Sequence, residues 1–131
     1  MSVRLFTLPL VLFAMAAAAY AAAPGDATAG KAYFTQTCRQ CHSAEPGDGG
    51  GEIGPSLVGV FGRPAGVGDT RFLYSPALKD SKLLWNAQTL DRFLTDPATS
   101  VPGTTMPLPI PVKADRDNVI AYFQSLAGSE K

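Results

Sequence analysis

The residues of this chain best suited to chemistry stand together as Cys38-Arg39-Gln40-Cys41-His42. Residues three apart lie on one face of a helical turn, so both thiols can reach the two vinyl groups of one porphyrin and form thioethers. His42 follows at once and can direct a ring nitrogen to the porphyrin iron. The spacing therefore predicts covalent attachment of one c-type haem.

Three other uses of a Cys-x-x-Cys pair compete with this interpretation: a redox dithiol, half of a zinc site and a strained disulfide. A redox dithiol is expected at a helix N-terminus after a strand, whereas Cys38 ends a helical stretch. A zinc site takes four ligands, and the motif with the chain's only histidine supplies three. Covalent haem remains the favoured interpretation.

A six-coordinate iron needs a second axial ligand, and Met106 is the candidate. His42 is the only histidine, which excludes a bis-histidine haem within one chain. Met106 is the one methionine outside the first 15 residues, and it stands among Pro102, Pro107, Pro109 and Pro111. A thioether ligand raises the reduction potential of a haem. The alternative is a methionine that only fills the core, with the iron open to small ligands.

Size and charge limit the classes of protein to consider. The 131 residues suit a single domain, and the 11 basic and 11 acidic residues balance, so composition indicates neither nucleic-acid nor anionic-membrane binding. Both cysteines belong to the motif, so no disulfide framework is expected. A core this small often needs additional stabilisation from a bound group, and a largely apolar haem could provide it.

The first residues are typical of a secretory leader. Arg4 precedes an apolar run from Leu5 to Met15, and Ala19-Tyr20-Ala21 fits a small-x-small cleavage site. We expect a signal peptide over 1–21, with cleavage possible as late as 23, and one domain over 24–131. Because haem is joined to this motif outside the bacterial plasma membrane, the expected compartment is the periplasm. An uncleaved membrane anchor is the alternative.

Four helices are predicted in the mature chain. Asp26 should cap a helix that runs to Cys38, in which Gly30 either allows a close helix contact or is a weak spot. Ser75 should cap a short helix that ends near Asp80. Asn86 should cap a third helix, with Leu90, Phe93 and Leu94 on its apolar face and Pro97 at its end. The last helix should run from Ala114 or Asp115 to about Ala127.

The connections between these helices are rich in glycine and proline. The segment 43–55 is predicted to be a loop, and 56–71 fits neither helix nor strand, so its tight turns are expected to wrap a large flat ligand. The segment 100–112 contains four prolines and is predicted to be a stiff, extended loop.

In this order of motifs the chain resembles the class I c-type cytochromes, especially the mitochondrial-like and bacterial medium-length members, from Gly25 to about Ala127. The matching residues are Gly30, Phe34, Cys38, Cys41, His42, Gly54, Pro55, Leu57, the run 59–63, Phe72, Tyr74, Trp85, Pro97, Pro102, Gly103, Thr104, Met106 and the run 120–122. The resemblance implies an all-α cytochrome c fold. Its terminal helices would cross, and short middle helices with Gly/Pro-rich loops would surround one haem.

The resemblance also implies roles for individual residues. Cys38 and Cys41 would carry the thioethers, and His42 and Met106 would be the axial ligands. The Pro55 carbonyl would accept the Nδ1–H of His42. A haem propionate would be held by Arg63, Tyr74 and Trp85, with Thr104 near the propionates or a buried polar network. Gly30 and Phe34 would pack against Tyr122 at the helix crossing.

Three departures from the family stand out. Phe93 replaces a tyrosine that many relatives place near the methionine sulphur, so that hydrogen bond is missing, and Leu108 replaces an aromatic residue often found at the exposed haem edge. Between Arg92 and Lys113 there is no basic residue, and Thr37 and Thr105 occupy positions that are usually basic. Mitochondrial relatives surround the haem edge with lysines, and their absence here puts the family's usual acidic docking partner in doubt.

The expected function is one-electron transfer between periplasmic or membrane-bound redox proteins, by a monomer that is not an enzyme. Weak electrostatic steering of the partner is expected, because the lysines that usually surround the exposed haem edge are missing. Two alternatives stay open: the haem subunit of a periplasmic dehydrogenase complex, and a small-ligand sensor with an open iron. Membrane association is expected only if the leader is retained, and no nucleic-acid partner is expected.

Overall fold

The computed structural model describes residues 25–51 and 53–128 of the chain. Within these two ranges five α-helices follow one another: α1 (Ala27–Tyr33), α2 (Pro76–Asp80), α3 (Ala87–Thr95), α4 (Pro97–Ser100) and α5 (Lys113–Gly128). Within these ranges the only β-type pairing is an isolated antiparallel bridge between Pro64 and Leu84. The predicted leader, 1–21, lies outside the described residues.

Helix α1 begins at its predicted cap. The Asp26 carboxylate accepts hydrogen bonds from the backbone N–H groups of Thr28 (2.7 Å) and Ala29 (3.2 Å). The sequence predicts one regular helix as far as Cys38, but the last turn, Phe34–Cys38, is a π-helix in which the Arg39 N–H donates to the Phe34 carbonyl at 2.9 Å. This wider turn adds a residue to the helix just where the first cysteine, Cys38, ends it.

Helices α1 and α5 cross in close contact, and two glycines allow it. A Cβ atom on Gly30 would lie 1.9 Å from the Asn118 carbonyl oxygen, and one on Gly25 would lie 2.1 Å from that of Asp117. Phe34 packs beside the crossing, with ring centroids 5.8 Å from Tyr122 and 5.9 Å from Phe123. Gly30 is therefore a site of close helix packing rather than a weak spot.

Local capping explains the middle helices. Ser75 accepts from the Leu78 N–H (3.2 Å) at the start of α2. Asn86 and Thr89 form a reciprocal capping box at the start of α3, with both bonds at 2.9 Å. Pro97 was predicted only to end the third helix. It also begins α4, because Asp96 caps that short helix by accepting from the Thr99 N–H at 3.1 Å.

The proline-rich segment leaves α4 and leads into α5. Helix α5 begins at Lys113 and ends at Gly128, one or two residues beyond each predicted end. Midway, the Ile110 N–H donates to the Leu94 carbonyl at 2.7 Å, which attaches the segment to α3. The segment is thus held at a fixed position although it has no helix of its own over 101–112.

A single hydrophobic core joins α1, α3, α5 and the loops. Its most deeply buried large side chains are Phe34, Val119 and Ile120. Among residues 25–51 and 53–128, no helix is long and apolar enough to cross a membrane.

Candidate haem site

One cavity of about 310 Å³ lies between the loops and the helices. All nine residues predicted to bind the cofactor line it, although they come from six separate parts of the chain. They are Cys38, Cys41, His42, Pro55, Arg63, Tyr74, Trp85, Thr104 and Met106. The rest of the wall is largely apolar, with Leu57, Val60, Leu78, Leu90, Phe93, Leu94, Ile110, Val119 and Phe123 among its residues.

His42 is fixed on one side of its ring. Its Nδ1 lies 2.7 Å from the Pro55 carbonyl oxygen, a geometry in which Nδ1–H donates and Nε2 keeps its lone pair. Burial lowers the pKa of His42, and this outweighs the Pro55 bond, which raises it. The buried ring is 8 % exposed, and as a neutral imidazole it suits metal ligation.

Gly54 forms the floor beneath this ring. A Cβ on Gly54 would lie 2.4 Å from Cε1 and 2.7 Å from Nδ1 of His42. No side chain other than hydrogen fits there without moving the imidazole. The contact of Gly54 with His42 was not predicted, although the Gly-Pro pair itself was recognised.

The cysteines are free and partly buried. The pKa of Cys38 is raised to about 11 by burial and, to a lesser degree, by the neighbouring Cys41. A redox dithiol depends on a lowered thiol pKa, so this environment disfavours that alternative. Within the described ranges no group of three or more His, Cys, Asp or Glu side chains could hold a metal ion, which disfavours a zinc site.

Met106 is partly buried and packs against the hydrophobic core. Its backbone N–H donates to the Thr104 hydroxyl at 3.4 Å, and the Thr104 N–H donates to the Val101 carbonyl at 2.9 Å. Gly103 precedes Thr104 with φ at 91°, a conformation that favours glycine. These turns present Met106 to the cavity that also contains the His42 ring.

Arg63 places a partly buried positive charge in the cavity wall. Its Nη1 donates to the Val58 carbonyl (2.8 Å) and its Nη2 to the Ser56 carbonyl (3.3 Å), while its Nε is buried with no hydrogen-bond partner. Buried unpaired donors are costly. A carboxylate of a molecule in the cavity would satisfy Nε and balance the charge, as a haem propionate can.

The other predicted propionate contacts also line the cavity. The Tyr74 hydroxyl donates to the Val67 carbonyl (3.0 Å) and accepts from the Asp69 N–H (3.1 Å), so a bond to a propionate would have to replace the one to Val67. Trp85 is 7 % exposed and packs on Phe93, with ring centroids 5.0 Å apart. Arg63 and Trp85 are also joined through the backbone, the Trp85 N–H donating to the Arg63 carbonyl at 2.9 Å.

The loop behind His42 is organised by a residue that the sequence reasoning missed. The Asp48 carboxylate accepts from the N–H groups of Ala44 (2.8 Å), Glu45 (3.1 Å) and Gly50 (2.8 Å). Desolvation by itself would raise the pKa of Asp48, but the three bonds together outweigh it, and the pKa is lowered. An aspartate within Pro-Gly-Asp-Gly is a typical turn signal, so the sequence did contain a clue.

Asp69 is a second residue that was missed, and it supports Pro55 from the far side. Its carboxylate accepts from the Ser56 N–H at 2.9 Å and from the Arg71 N–H at 3.0 Å. Together with the Tyr74 bond to its own N–H, Asp69 ties the segment that follows Pro55 to the segment before Tyr74. No spacing rule in the sequence would have found this contact, since it joins residues 13 apart.

The fold and the cavity define a class: a small all-helical protein whose loops enclose one flat, largely apolar group held beside a Cys-x-x-Cys-His motif. The comparisons agree with that class. The family model described as cytochrome c matches residues 27–127. Cytochrome c2 of Rhodoblastus acidophilus is 46% identical over 100 residues, which cover 76% of this chain and 91% of the relative.

Two further relatives extend the likeness. The cytochrome c-type cyt cy of Rhodobacter capsulatus is 43% identical over 103 residues; these cover 78% of this chain but only 50% of that longer protein. The solved structure of cytochrome cH from Methylobacterium extorquens superposes with a TM-score of 0.68 at 40% identity, covering 77% of this chain and 99% of that one.

The chain belongs to the cytochrome c family and is a class I, monohaem member with the all-α fold of that family. It binds one covalent haem c, for which Cys38 and Cys41 provide the attachment motif. Its function is electron transfer through that haem. The orphaned Nε of Arg63, the glycine floor under His42 and the apolar walls all fit the group.

Proposed function

We propose that this protein is a one-electron carrier of the periplasm, with His42 and Met106 as the axial ligands of its haem. The observation that carries the proposal is that two different metal ligands line the same cavity. One is the neutral imidazole of His42, fixed by Pro55, and the other is the thioether of Met106, which stands among prolines. Haem iron alternates between ferrous and ferric states, which supplies the one-electron chemistry.

The residues of the chain set the conditions for that exchange. The bond from His42 to Pro55 fixes the imidazole ring and increases its donor strength. The apolar wall disfavours the extra charge of the oxidised state, and the thioether favours the reduced state, so both push the potential in the positive direction. Because the donors are held by the fold in either state, little rearrangement accompanies the transfer.

The remaining site residues hold the haem in place. Cys38 and Cys41 carry the thioethers, Arg63 balances a propionate charge, and Tyr74, Trp85 and Thr104 complete that end of the cavity. We infer from this set of residues that the protein is a carrier rather than a catalyst. No other titratable side chain in the described ranges lines the cavity besides the two cysteines, His42, Arg63 and Tyr74.

The direct test is a visible and near-infrared spectrum of the purified holoprotein in both redox states. A sulphur-to-iron charge-transfer band in the ferric spectrum, lost in Met106→Ala, would establish the thioether ligand. The ferrous native protein should not bind carbon monoxide, whereas the Met106→Ala protein should. An unchanged spectrum and potential in Met106→Ala would refute the proposed axial pair.

The partner is proposed to dock on an uncharged surface at the cavity mouth. Ile53 and Leu108 line the cavity and are 77% and 54% exposed, and Thr37 and Thr105 line it beside them. Among the residues that the structure describes, His42 and Arg63 are the only basic ones that line this cavity, and none that lines it is acidic. We therefore propose a redox protein with an apolar, uncharged contact surface, bound transiently over a small interface.

Salt dependence tests the nature of this surface. Electron-transfer rates with a physiological partner should change by less than about threefold between low and physiological salt, because few charges steer the encounter. A steep fall in rate with added salt would show that charge steers the encounter. Leu108→Lys, a charge placed on the rim, should introduce the salt dependence that the native protein lacks.

The same apolar mouth also fits a second candidate function, that of the haem subunit of a periplasmic dehydrogenase. In a stable complex the partner would bury exposed apolar side chains such as those of Ile53 and Leu108. A haem edge surrounded by lysines would be less suited to such an interface, because the cores of stable interfaces contain few charged residues. Co-purification with an enzyme subunit would favour this candidate. Migration of the native protein as a free monomer would favour the mobile carrier.

We further propose that residues 1–21 direct export and are removed, leaving one domain over 24–131. The mass of the N-terminal peptide of protein taken from the periplasm tests this proposal. Recovery in the membrane fraction with residues 1–21 attached would instead show that the leader serves as an anchor.

A further inference from the structure

Arg116 is a buried charged residue outside the predicted site. Its side chain is 8% exposed, and it lies in the first turn of α5. The N-terminal end of a helix disfavours positive charge, because it carries the positive end of the helix dipole. An arginine kept in this place and buried there needs a specific set of partners.

Three oxygen atoms supply those partners. Nε of Arg116 donates to the Asp91 carboxylate on α3 at 2.8 Å, and Nη1 donates to the backbone carbonyls of Ile110 (2.8 Å) and Pro111 (3.0 Å). The guanidinium thus joins α5, α3 and the C-terminal end of the proline-rich segment. Its planar fork reaches all three at once, which the single ammonium of a lysine cannot do.

The two carbonyls belong to the segment that presents Met106. Ile110 follows Met106 by four residues, is 4% exposed and itself lines the cavity. Its N–H is bonded to the Leu94 carbonyl at 2.7 Å, so both polar groups of its backbone are held, one by α3 and one by Arg116. The prolines between them stiffen the connection and transmit this anchor toward Met106.

We infer that Arg116 is a positioning residue for the sixth ligand: it fixes the base of the methionine segment, and its loss would allow that segment to leave the iron more easily. The inference rests on the proposed ligation by Met106. It predicts that an added ligand, which must displace Met106, will bind more tightly when the anchor is weakened, because opening the segment then costs less.

The experiment measures the affinity of the ferric holoprotein for imidazole. Arg116→Lys keeps the charge but loses the fork, and it should bind imidazole about tenfold more tightly than the native protein. Asp91→Asn keeps both bonds to the carbonyls and should increase the affinity by less. Backbone amides over 103–110 should also exchange hydrogen faster in Arg116→Lys.

Tyr122→Phe is the matched control for a general loss of stability. It removes the Tyr122 hydrogen bond to Glu45 at the helix crossing and leaves the methionine segment untouched. It should leave imidazole affinity unchanged within about twofold, since no contact of the segment is altered. An equal gain in Tyr122→Phe, or native affinity in both Arg116→Lys and Asp91→Asn, would overturn the inference.

Met106→Ala separates this inference from the proposal on which it rests. If Met106→Ala leaves the ferric spectrum unchanged, the axial ligation itself is wrong. If Met106→Ala removes the charge-transfer band while the Arg116 variant behaves as the native protein, ligation stands and only the role of Arg116 fails.

Discussion

At the scale of single residues, the site depends on contacts that hold a few side chains in one orientation. His42 is positioned from two directions, by a hydrogen bond to Pro55 and by the bare backbone of Gly54. Arg63 is positioned by two carbonyls and retains one unpaired donor. In both cases backbone carbonyls occupy some nitrogen atoms of the side chain and leave another free to bind the haem: Nε2 in His42 and Nε in Arg63.

Replacement of Gly54 by alanine tests the first of these contacts. The new Cβ would lie 2.4 Å from His42 Cε1, so the ring or the backbone must shift and the bond to Pro55 must lengthen. Gly54→Ala should lower the free energy of unfolding by about 1–3 kcal/mol, as overpacking does, and should reduce the yield of haem-loaded protein. Urea denaturation and the haem absorbance per chain measure the two effects.

Gly128→Ala is the control for this prediction. A Cβ at Gly128 meets no atom within 4 Å, and the residue ends α5 far along the chain from the haem motif. Its stability and haem content should match those of the native protein. If Gly54→Ala also matched the native protein, then the glycine floor would have no role in holding the imidazole.

The charge of Arg63 leads to a prediction about the reduction potential. A partly buried positive charge disfavours the oxidised state of a nearby haem, in proportion to the inverse of distance and dielectric constant. Arg63→Gln should therefore lower the midpoint potential, and a redox titration would measure the change. Arg71→Gln removes a similar charge whose side chain is 82% exposed, and water should screen its effect. Equal potentials in Arg63→Gln and the native protein would rule out this effect of Arg63.

The residue types at the site were predictable, but their neighbours were only partly so. Cys38, Cys41 and His42 follow from spacing alone, and Met106 follows from elimination, since few soft donors exist in the chain. Gly54, Asp48 and Arg116 act through contacts with residues distant in the sequence or with backbone atoms. Neither kind of contact leaves a periodic pattern in the sequence.

At the scale of helices, the local signals were reliable wherever a cap is made by neighbouring residues. Asp26, Ser75 and Asn86 cap their helices as expected. The π-turn at Phe34–Cys38 and the short helix after Pro97 were not predicted. A π-turn has no distinct sequence pattern, and proline serves equally to end one helix and to begin the next.

The helix crossing is linked to the loop behind the haem motif by Glu45. Its Oε1 accepts from Lys31 Nζ on α1 and from the Tyr122 hydroxyl on α5, both at 2.7 Å. The bond from Lys31 is the larger cause, and that from Tyr122 the next, of a lowered pKa at Glu45. One carboxylate therefore connects both terminal helices to the segment that follows His42.

This link makes part of the stability depend on pH. Because the pKa of Glu45 is lower in the folded than in the unfolded state, its contribution is complete above the unfolded value and is lost as pH falls through the folded value. Glu45→Gln should lower the free energy of unfolding at neutral pH by about 0.5–1 kcal/mol, a small figure because solvent screens the pair. The difference from the native protein should narrow as the solution becomes acidic.

Urea denaturation at several pH values, from about 7 down to about 3, measures this convergence. Asp80→Asn serves as control, since Asp80 is an exposed acid at the end of α2, away from the crossing. Its curve should run parallel to that of the native protein. A constant difference between Glu45→Gln and the native protein at every pH would show that the carboxylate charge does not matter.

At the scale of the whole molecule, the order of motifs predicted the fold, because the residues that match the family are spread over nearly the whole stretch from Gly25 to Ala127. The regular elements alone would not have sufficed. Between the π-helical turn that ends at Cys38 and the start of α2, the described residues form no helix or strand, and the course of the backbone is set by turns, caps and the walls of a cavity. What those loops surround determines the architecture more than their own propensities do.

This dependence leads to a prediction about the chain without haem. Leaving a cavity of about 310 Å³ unfilled should cost about 7 kcal/mol at the usual cost per unit of cavity volume, which is comparable to the whole stability of a small domain. Arg63 would in addition be left with a buried, unpaired donor. The chain with Cys38→Ala and Cys41→Ala, purified without haem, should therefore lack a cooperative thermal transition.

Circular dichroism distinguishes the outcomes. The near-ultraviolet signal from Trp85, which lines the cavity and packs on Phe93, should be lost. Some far-ultraviolet helical signal should remain at α1 and α5, whose closest contacts, at Gly25 and Gly30, lie outside the cavity wall. Haem added without covalent attachment should restore part of the near-ultraviolet signal if filling the cavity is what matters. A haem-free chain with a native-like near-ultraviolet spectrum and a sharp transition would show instead that the polypeptide holds this architecture by itself.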